Sequence, residues 1–219
     1  MKECKIGIIE DTPEELNSIE RTIYSHLFKD YNLVYKEYEL NNKLFDNGIV
    51  EEIESDILNE NIMLLIVDNK LIVEGNRLKG TSIYESVKRL ASDFPIIIMT
   101  NYKDEAYDND YVDPDKIYDK ENFFMNQDYT KEKIKSISLM IDKYNKLRNN
   151  IFAEKKRLIE EYEKEVETSG QETLNELLKL EIEMKKYTPV DCSYLEELIS
   201  PTYVKEIVDL LDEVKSKLD

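Results

Sequence analysis

Histidine, cysteine, glycine, basic charge and long apolar runs are all scarce in this 219-residue chain, and each scarcity closes off a class of chemistry. The one histidine, His26, falls beside an apolar helical stripe and reads as an ordinary helix residue, so neither a Ser–His–Asp triad nor a phosphotransfer histidine is expected. The two cysteines, Cys4 and Cys192, lie far apart with no CxxC or Cys/His spacing. That argues against a zinc site and fits a reducing compartment, the cytoplasm by default. The longest apolar runs, such as Ile62–Val67, fall far short of the roughly 18 residues of a spanning helix, and the N-terminus shows no signal-peptide pattern, so no membrane association is expected. Gly75 and Gly80 do not form a phosphate-cradling GxxxxGK loop. Basic residues number 30 against 48 acidic ones, a net charge of −18. Such a surface repels phosphate backbones, so direct nucleic-acid binding is not expected, whereas metal cations and basic protein faces are favoured.

What the chain does contain is organised. Residues 1–129 alternate apolar runs with helical patterns, the signature of a βα-repeating parallel sheet. Strands are predicted at Lys5–Ile9, Leu33–Tyr38, Met63–Val67, Ile96–Met99 and Lys116–Tyr118, the second more polar and nearer an edge. A first helix opens with Thr12 as N-cap, Pro13 at the first helical position and Glu15 completing a capping box; its stripe is Leu16, Ile19, Ile23 and Leu27. A second carries Ile49, Ile53 and Ile57, and a third, capped by Ser82 with Glu85, buries Ile83, Val87 and Leu90. Between Thr100 and Lys120 the chain is nearly all polar, so a fourth helix is short, around Lys103–Tyr107.

The apolar runs stop at particular residues: Glu10 and Asp11 after the first, Asp68 at the end of the third, Thr100 after the fourth and Lys120 after the fifth. A parallel sheet brings all of these to one carboxyl edge, where open α/β folds bind ligands. Three carboxylates crowded there repel one another unless a cation lies between them, and Mg²⁺ suits an all-oxygen set that leaves room for waters. Order and chemistry together resemble a response-regulator receiver domain. The resemblance implies a flavodoxin-like, doubly wound, five-stranded parallel sheet over 1–129. It also implies that Asp68 accepts a phosphoryl group, Asp11 binds Mg²⁺ directly, Glu10 acts through water and the Lys70 backbone carbonyl is a further ligand. Thr100 and Lys120 would contact phosphoryl oxygens. A sensor histidine kinase or another phosphodonor and a protein effector are the implied partners, and the chain is a signalling switch rather than an enzyme. No second aspartate follows Asp68 in the manner of a haloacid-dehalogenase-like phosphatase.

This sequence also departs from that pattern. The stretch from Asp68 to Gly80 (DNKLIVEGNRLKG) is long, Glu121 follows Lys120 where receivers generally carry proline, and Ile117 stands three before Lys120 where an aromatic switch residue is common. These departures favour the alternative of a pseudo-receiver, never phosphorylated, acting as a structural or regulatory subunit of a larger complex. Residues 130–219 read as an all-α extension: a long helix with Ile134, Ile137, Ile141, Tyr144, Ile151, Leu158, Tyr162 and Val166 on one face, ending near Thr168, then two shorter helices. Arg148 and Lys155 at core heptad positions specify a two-stranded coiled coil poorly. The tail is expected to serve homodimerisation or hetero-assembly, or else to pack within the chain, and no helix-turn-helix with a basic recognition helix appears.

Overall fold

The computed structural model of the chain describes residues 2–27, 29–39, 48–73, 76–165 and 171–189. In chain order its elements begin with β1 (Lys2–Ile9), α1 (Pro13–Leu27), β2 (Tyr31–Glu37), α2 (Gly48–Leu58), β3 (Leu64–Asp68), β4 (Lys70–Val73) and β5 (Asn76–Lys79). They continue with α3 (Gly80–Leu90), β6 (Ile96–Thr100), α4 (Lys103–Tyr107), β7 (Ile117–Asp119), α5 (Lys120–Met125), α6 (Gln127–Glu165) and α7 (Gln171–Met184). Five strands form one parallel sheet in the order β2-β1-β3-β6-β7. The all-apolar runs LLIV and IIIM make β3 and β6 central, because only residues buried on both faces can do without alternation. β2 alternates exposed and covered positions and lies at an edge, as its polar composition predicts.

Helices cover both faces. One face packs Ile6, Ile8, Leu64 and Ile66 against Ile19, Ile23 and Leu27 of α1, Phe123 of α5, and Ile134, Ile137 and Ile141 of α6. The alternate strand positions, Leu65, Val67, Ile96 and Ile98, are equally buried, as are Ile49, Ile53 and Ile57 of α2 and Ile83 and Val87 of α3. Each such isoleucine contributes about 1.5–3 kcal/mol by leaving water. Leu16 and Leu90, the ends of two expected stripes, are only partly buried.

Three local features differ from the sequence expectation. The long stretch after Asp68 is an antiparallel hairpin, β4–β5, with Lys70 opposite Lys79 and Val73 opposite Asn76. Because β5 runs directly into α3, that helix starts at Gly80, and Ser82 is an exposed residue of its first turn rather than the cap. Finally, β7 leads into the six-residue α5, and the Asn126 side chain accepts the N–H groups of Asp128 and Tyr129 at 3.1 and 3.2 Å to open α6. The short α4 forms where the sequence predicts it.

The described residues fall into two compact units, one within Met1–Asn150 and Lys186–Pro189, the other within Ile151–Lys185. The expected boundary after residue 129 lies inside α6, whose buried isoleucines belong to the first unit's core. In that unit Arg148 pairs with Glu60 at 2.7 Å, and in the other Lys155 pairs with Glu181 at 2.5 Å, so both cations at core heptad positions find partners in the chain. The expected break at Gly170 and the last tail helix, from Ser200 to Leu218, lie outside the described residues. Among those described, no helix is long and apolar enough to cross a membrane.

Candidate functional site

Every residue singled out as a site candidate lies at the carboxyl edge of the parallel sheet or at the hairpin beside it. Glu10 and Asp11 follow β1, Asp68 is the last residue of β3, Thr100 the last of β6, and Lys120 the first residue after β7. The parallel register puts Asp68 opposite Met99 and Thr100 opposite Asp119, which levels these strand ends. Between β1 and β3 the strand order reverses, the crevice where open α/β sheets bind ligands.

Lys120 is the hub. Its ammonium donates to Glu10 Oε2 at 2.6 Å, pairs with Asp68 Oδ1 at 3.1 Å and also donates to Glu15. The lysine is 2 % exposed, so these carboxylates stand in for the water it has lost. Burial works against its charge, but Asp68 and Glu10 outweigh that and raise its pKa. One cation among three carboxylates leaves surplus negative charge. Burial therefore pushes Glu10 up to about 7 despite the charge and hydrogen bond of Lys120. It also raises Asp68 above the usual carboxylate range, against Lys120 and the backbone N–H groups of Lys70 and Asn69.

Oxygens of Glu10, Asp11 and Asp68 come within 4.8 Å of one another, a group that could hold a metal ion. The donor set is all oxygen, the class preferred by hard divalent cations, and the surplus charge favours one. Two of these carboxylates also hold the hairpin: Asp11 Oδ2 accepts the Ile72 N–H at 2.7 Å, and Asp68 Oδ2 accepts the Lys70 N–H at 3.2 Å. The Lys70 ammonium turns away to Glu105 at 2.8 Å and lies 3.4 Å from the centre of the Tyr102 ring. Thr100 is fully buried, and its hydroxyl oxygen accepts the Tyr102 N–H at 3.1 Å, which leaves its own O–H free to donate. A cavity of about 370 Å³ opens beside Glu10 and Asp11, with Glu37, Glu39 and Ile72 on its walls.

Sequence reasoning missed three participants. Glu15 was assigned to the capping box, but its carboxylate serves Lys120 and Asn101, while Glu10 Oε1 accepts the Thr12 N–H at 3.1 Å in its place. A buried lysine outcompetes one part-buried backbone donor, so the box pattern misled. The second is Asn69, 1 % exposed, whose side chain accepts the Thr81 N–H at 3.4 Å and whose carbonyl accepts the Gly80 N–H at 3.0 Å. The third is the Ile72 N–H, a backbone group that no side-chain pattern reports. Ile117 and Tyr118 are both buried, the Tyr118 ring against Phe123 with centroids 6.5 Å apart. His26 is exposed on α1, as an ordinary helix residue.

No protein-family model matches the chain, and no curated protein matches it.

The raised Glu10 fixes a direction for cation binding. A proton and a divalent cation compete for the same oxygens, so the affinity of this group for any divalent cation is expected to rise with pH up to about 7 and level off above it, by at most about tenfold per unit. Calorimetric titration across that range measures it. A flat profile would show that Glu10 takes no part.

Proposed function

We propose that this chain is a receiver-type signalling switch with a flavodoxin-like sheet, in which Asp68 accepts a phosphoryl group. The observation that carries this reading is the Lys120 ammonium in contact with both Glu10 and Asp68 at the strand-order reversal, with buried Thr100 closing the next strand. An Asp68 carboxylate oxygen attacks the phosphorus of the donor, a P–O bond forms, and the bond to the leaving group breaks with its electron pair. Lys120 is placed to meet the transferred charge, and the Thr100 hydroxyl has a proton to donate to a phosphoryl oxygen. Glu10, Asp11, Asp68 and the Lys70 carbonyl are the groups that would hold Mg²⁺, which when bound neutralises phosphoryl oxygens. The modification adds about −1.5 to −2 of charge beside Lys70, whose side chain reaches α4. That supplies a route from the site to partner contacts. A sensor kinase or small acyl phosphate as donor, a protein effector, and homodimerisation through the tail complete the proposal.

The test is intact-mass spectrometry after incubation with acetyl phosphate and Mg²⁺. A single hydroxylamine-labile phosphoryl adduct is expected in the native chain and is expected to vanish in Asp68→Asn and with EDTA. An adduct that persists in Asp68→Asn, or none at all, overturns the reading.

A second reading has its own support in the hairpin bonds. With Ile72 holding Asp11 and Lys70 holding Asp68, the pocket already has ligands of its own, which suits a pseudo-receiver whose charges serve architecture. Absence of an adduct together with unchanged partner assembly in Asp68→Ala selects it.

A further inference from the structure

At the opposite edge of the sheet, where β6 begins and just before β7, lies a cavity of about 250 Å³ that the phosphoryl chemistry does not use. Lys88, Lys116 and Lys143 line it together with the aromatic rings of Phe94, Tyr144 and Tyr187, and Asp93 is its one acidic residue. Three lysines against one acid is the reverse of the balance over the whole chain. The aromatic wall is ordered: Phe94 and Tyr144 meet edge to face at 5.5 Å between centroids, and the Tyr144 hydroxyl donates to the Tyr187 carbonyl at 2.6 Å.

The lysines are short of negative charge. Lys88 is half-buried and held by the carbonyls of Ser92 and Phe94 at 2.8 and 2.9 Å, with its ammonium 5.7 Å from the Tyr84 ring, and it makes no ion pair with a described residue. Burial lowers its pKa to about 8, which Asp93 and Asp113 oppose and the charge of Lys116 reinforces. Lys116 and Lys143 have no ion-pair partner among the described residues either. The repulsion between Lys88 and Lys116 at this hollow is relieved by an anion, and the volume lies below the 300–1,000 Å³ usual for drug-sized ligands.

We propose that this cavity is a binding site for a small organic anion, a single-ring apolar body carrying a phosphate or carboxylate, with the ring beside Met140, Tyr144 and Leu147 and the anion at Lys116 and Lys143. The site is independent of Asp68. Calorimetric titration of the full chain tests it with phenyl phosphate and benzoate, against inorganic phosphate and benzyl alcohol as the anion-only and ring-only controls. Saturable binding of phenyl phosphate or benzoate is expected, tighter than of either control, and the better of the two identifies the anionic group. The double variant Lys116→Gln/Lys143→Gln changes side chains that make no ion pair among the described residues, so it should fold normally and weaken binding about tenfold. Asp68→Asn should leave binding unchanged. Equal binding of ring anion and inorganic phosphate, no saturation by either ring anion, or indifference to the double variant overturns the proposal.

Discussion

Replacing Lys120 by methionine is expected to destabilise the chain by about 3–5 kcal/mol near neutral pH, the usual cost of removing one partner from a buried ion pair. The methionine fills a similar volume, so packing changes little, and what remains is the loss of the single cation shared by Glu10, Asp68 and Glu15. The loss should depend on pH with a definite sign. A carboxylate whose folded pKa exceeds its unfolded value contributes stability that is complete below the unfolded pKa and disappears as pH rises through the folded one. For Glu10 in the native chain that window runs from its ordinary value of 4.5 to about 7. Without Lys120 the folded pKa values of Glu10 and Asp68 rise further, so the deficit is small in mild acid, where protons take the place of the ammonium, and largest above neutrality. Urea unfolding of both proteins at about pH 5 and pH 8 measures this. A deficit of equal size at both pH values would assign the role of the lysine to packing, and one below about 1 kcal/mol would mean that water screens the cluster. Mg²⁺ should restore part of the loss in the variant, because a cation among the same carboxylates replaces the missing charge.

How much of this was legible in the residues depends on whether the signal was local. Each strand end of the parallel sheet was readable because a buried strand must be apolar and its apolar run must stop where a polar residue begins: Ile9 before Glu10, Val67 before Asp68, Met99 before Thr100. The parallel register then brought these ends together without further information. α4 was readable because polar neighbours leave a short helix little to pack against. The hairpin was not read, although its sequence carries a hairpin signal, Gly75 between KLIV and NRLK. Its strands pair only with each other, so the sheet pattern gave no reason to look for them. Glu15 was misread for a different reason. Three residues after a threonine, a glutamate satisfies a local rule, and its actual partner stands 105 positions away. Propensity and spacing describe what a residue can do with its neighbours in sequence, and a buried lysine brought in by the fold outweighs that by more than the ~1 kcal/mol a cap supplies.

Gly80→Ala should be nearly as damaging, and its damage should reach the site. A Cβ on Gly80 would stand 2.1 Å from the carbonyl oxygen of Asp68, 2.9 Å from its carbonyl carbon and 2.9 Å from Val67 Cγ1. Two of those atoms are backbone of the central strand β3, paired to β1 as far as Val67 and to β6 through Asp68, so that they yield far less readily than a side chain. Alanine's advantage over glycine in a helix, about 1 kcal/mol, is outweighed by an overlap of this depth, for which a net loss of about 3 kcal/mol is expected. Gly7→Ala supplies the comparison. There the nearest atoms are Tyr38 Cε2 at 2.8 Å and Leu65 Cδ1 at 3.0 Å, both on side chains that can shift, so a loss of about 1–2 kcal/mol is expected with the acidic cluster left in place. The Asp68 carbonyl can escape the new methyl only by moving the end of β3, and the Asp68 carboxylate moves with it. In the fraction that remains folded, Gly80→Ala should therefore bind Mg²⁺ more weakly than Gly7→Ala, as urea unfolding and calorimetric titration of the two variants would show. Equal Mg²⁺ affinity in both would mean that α3 gives way instead, and that the close approach of Gly80 to Asp68 serves only the turn from β5 into α3.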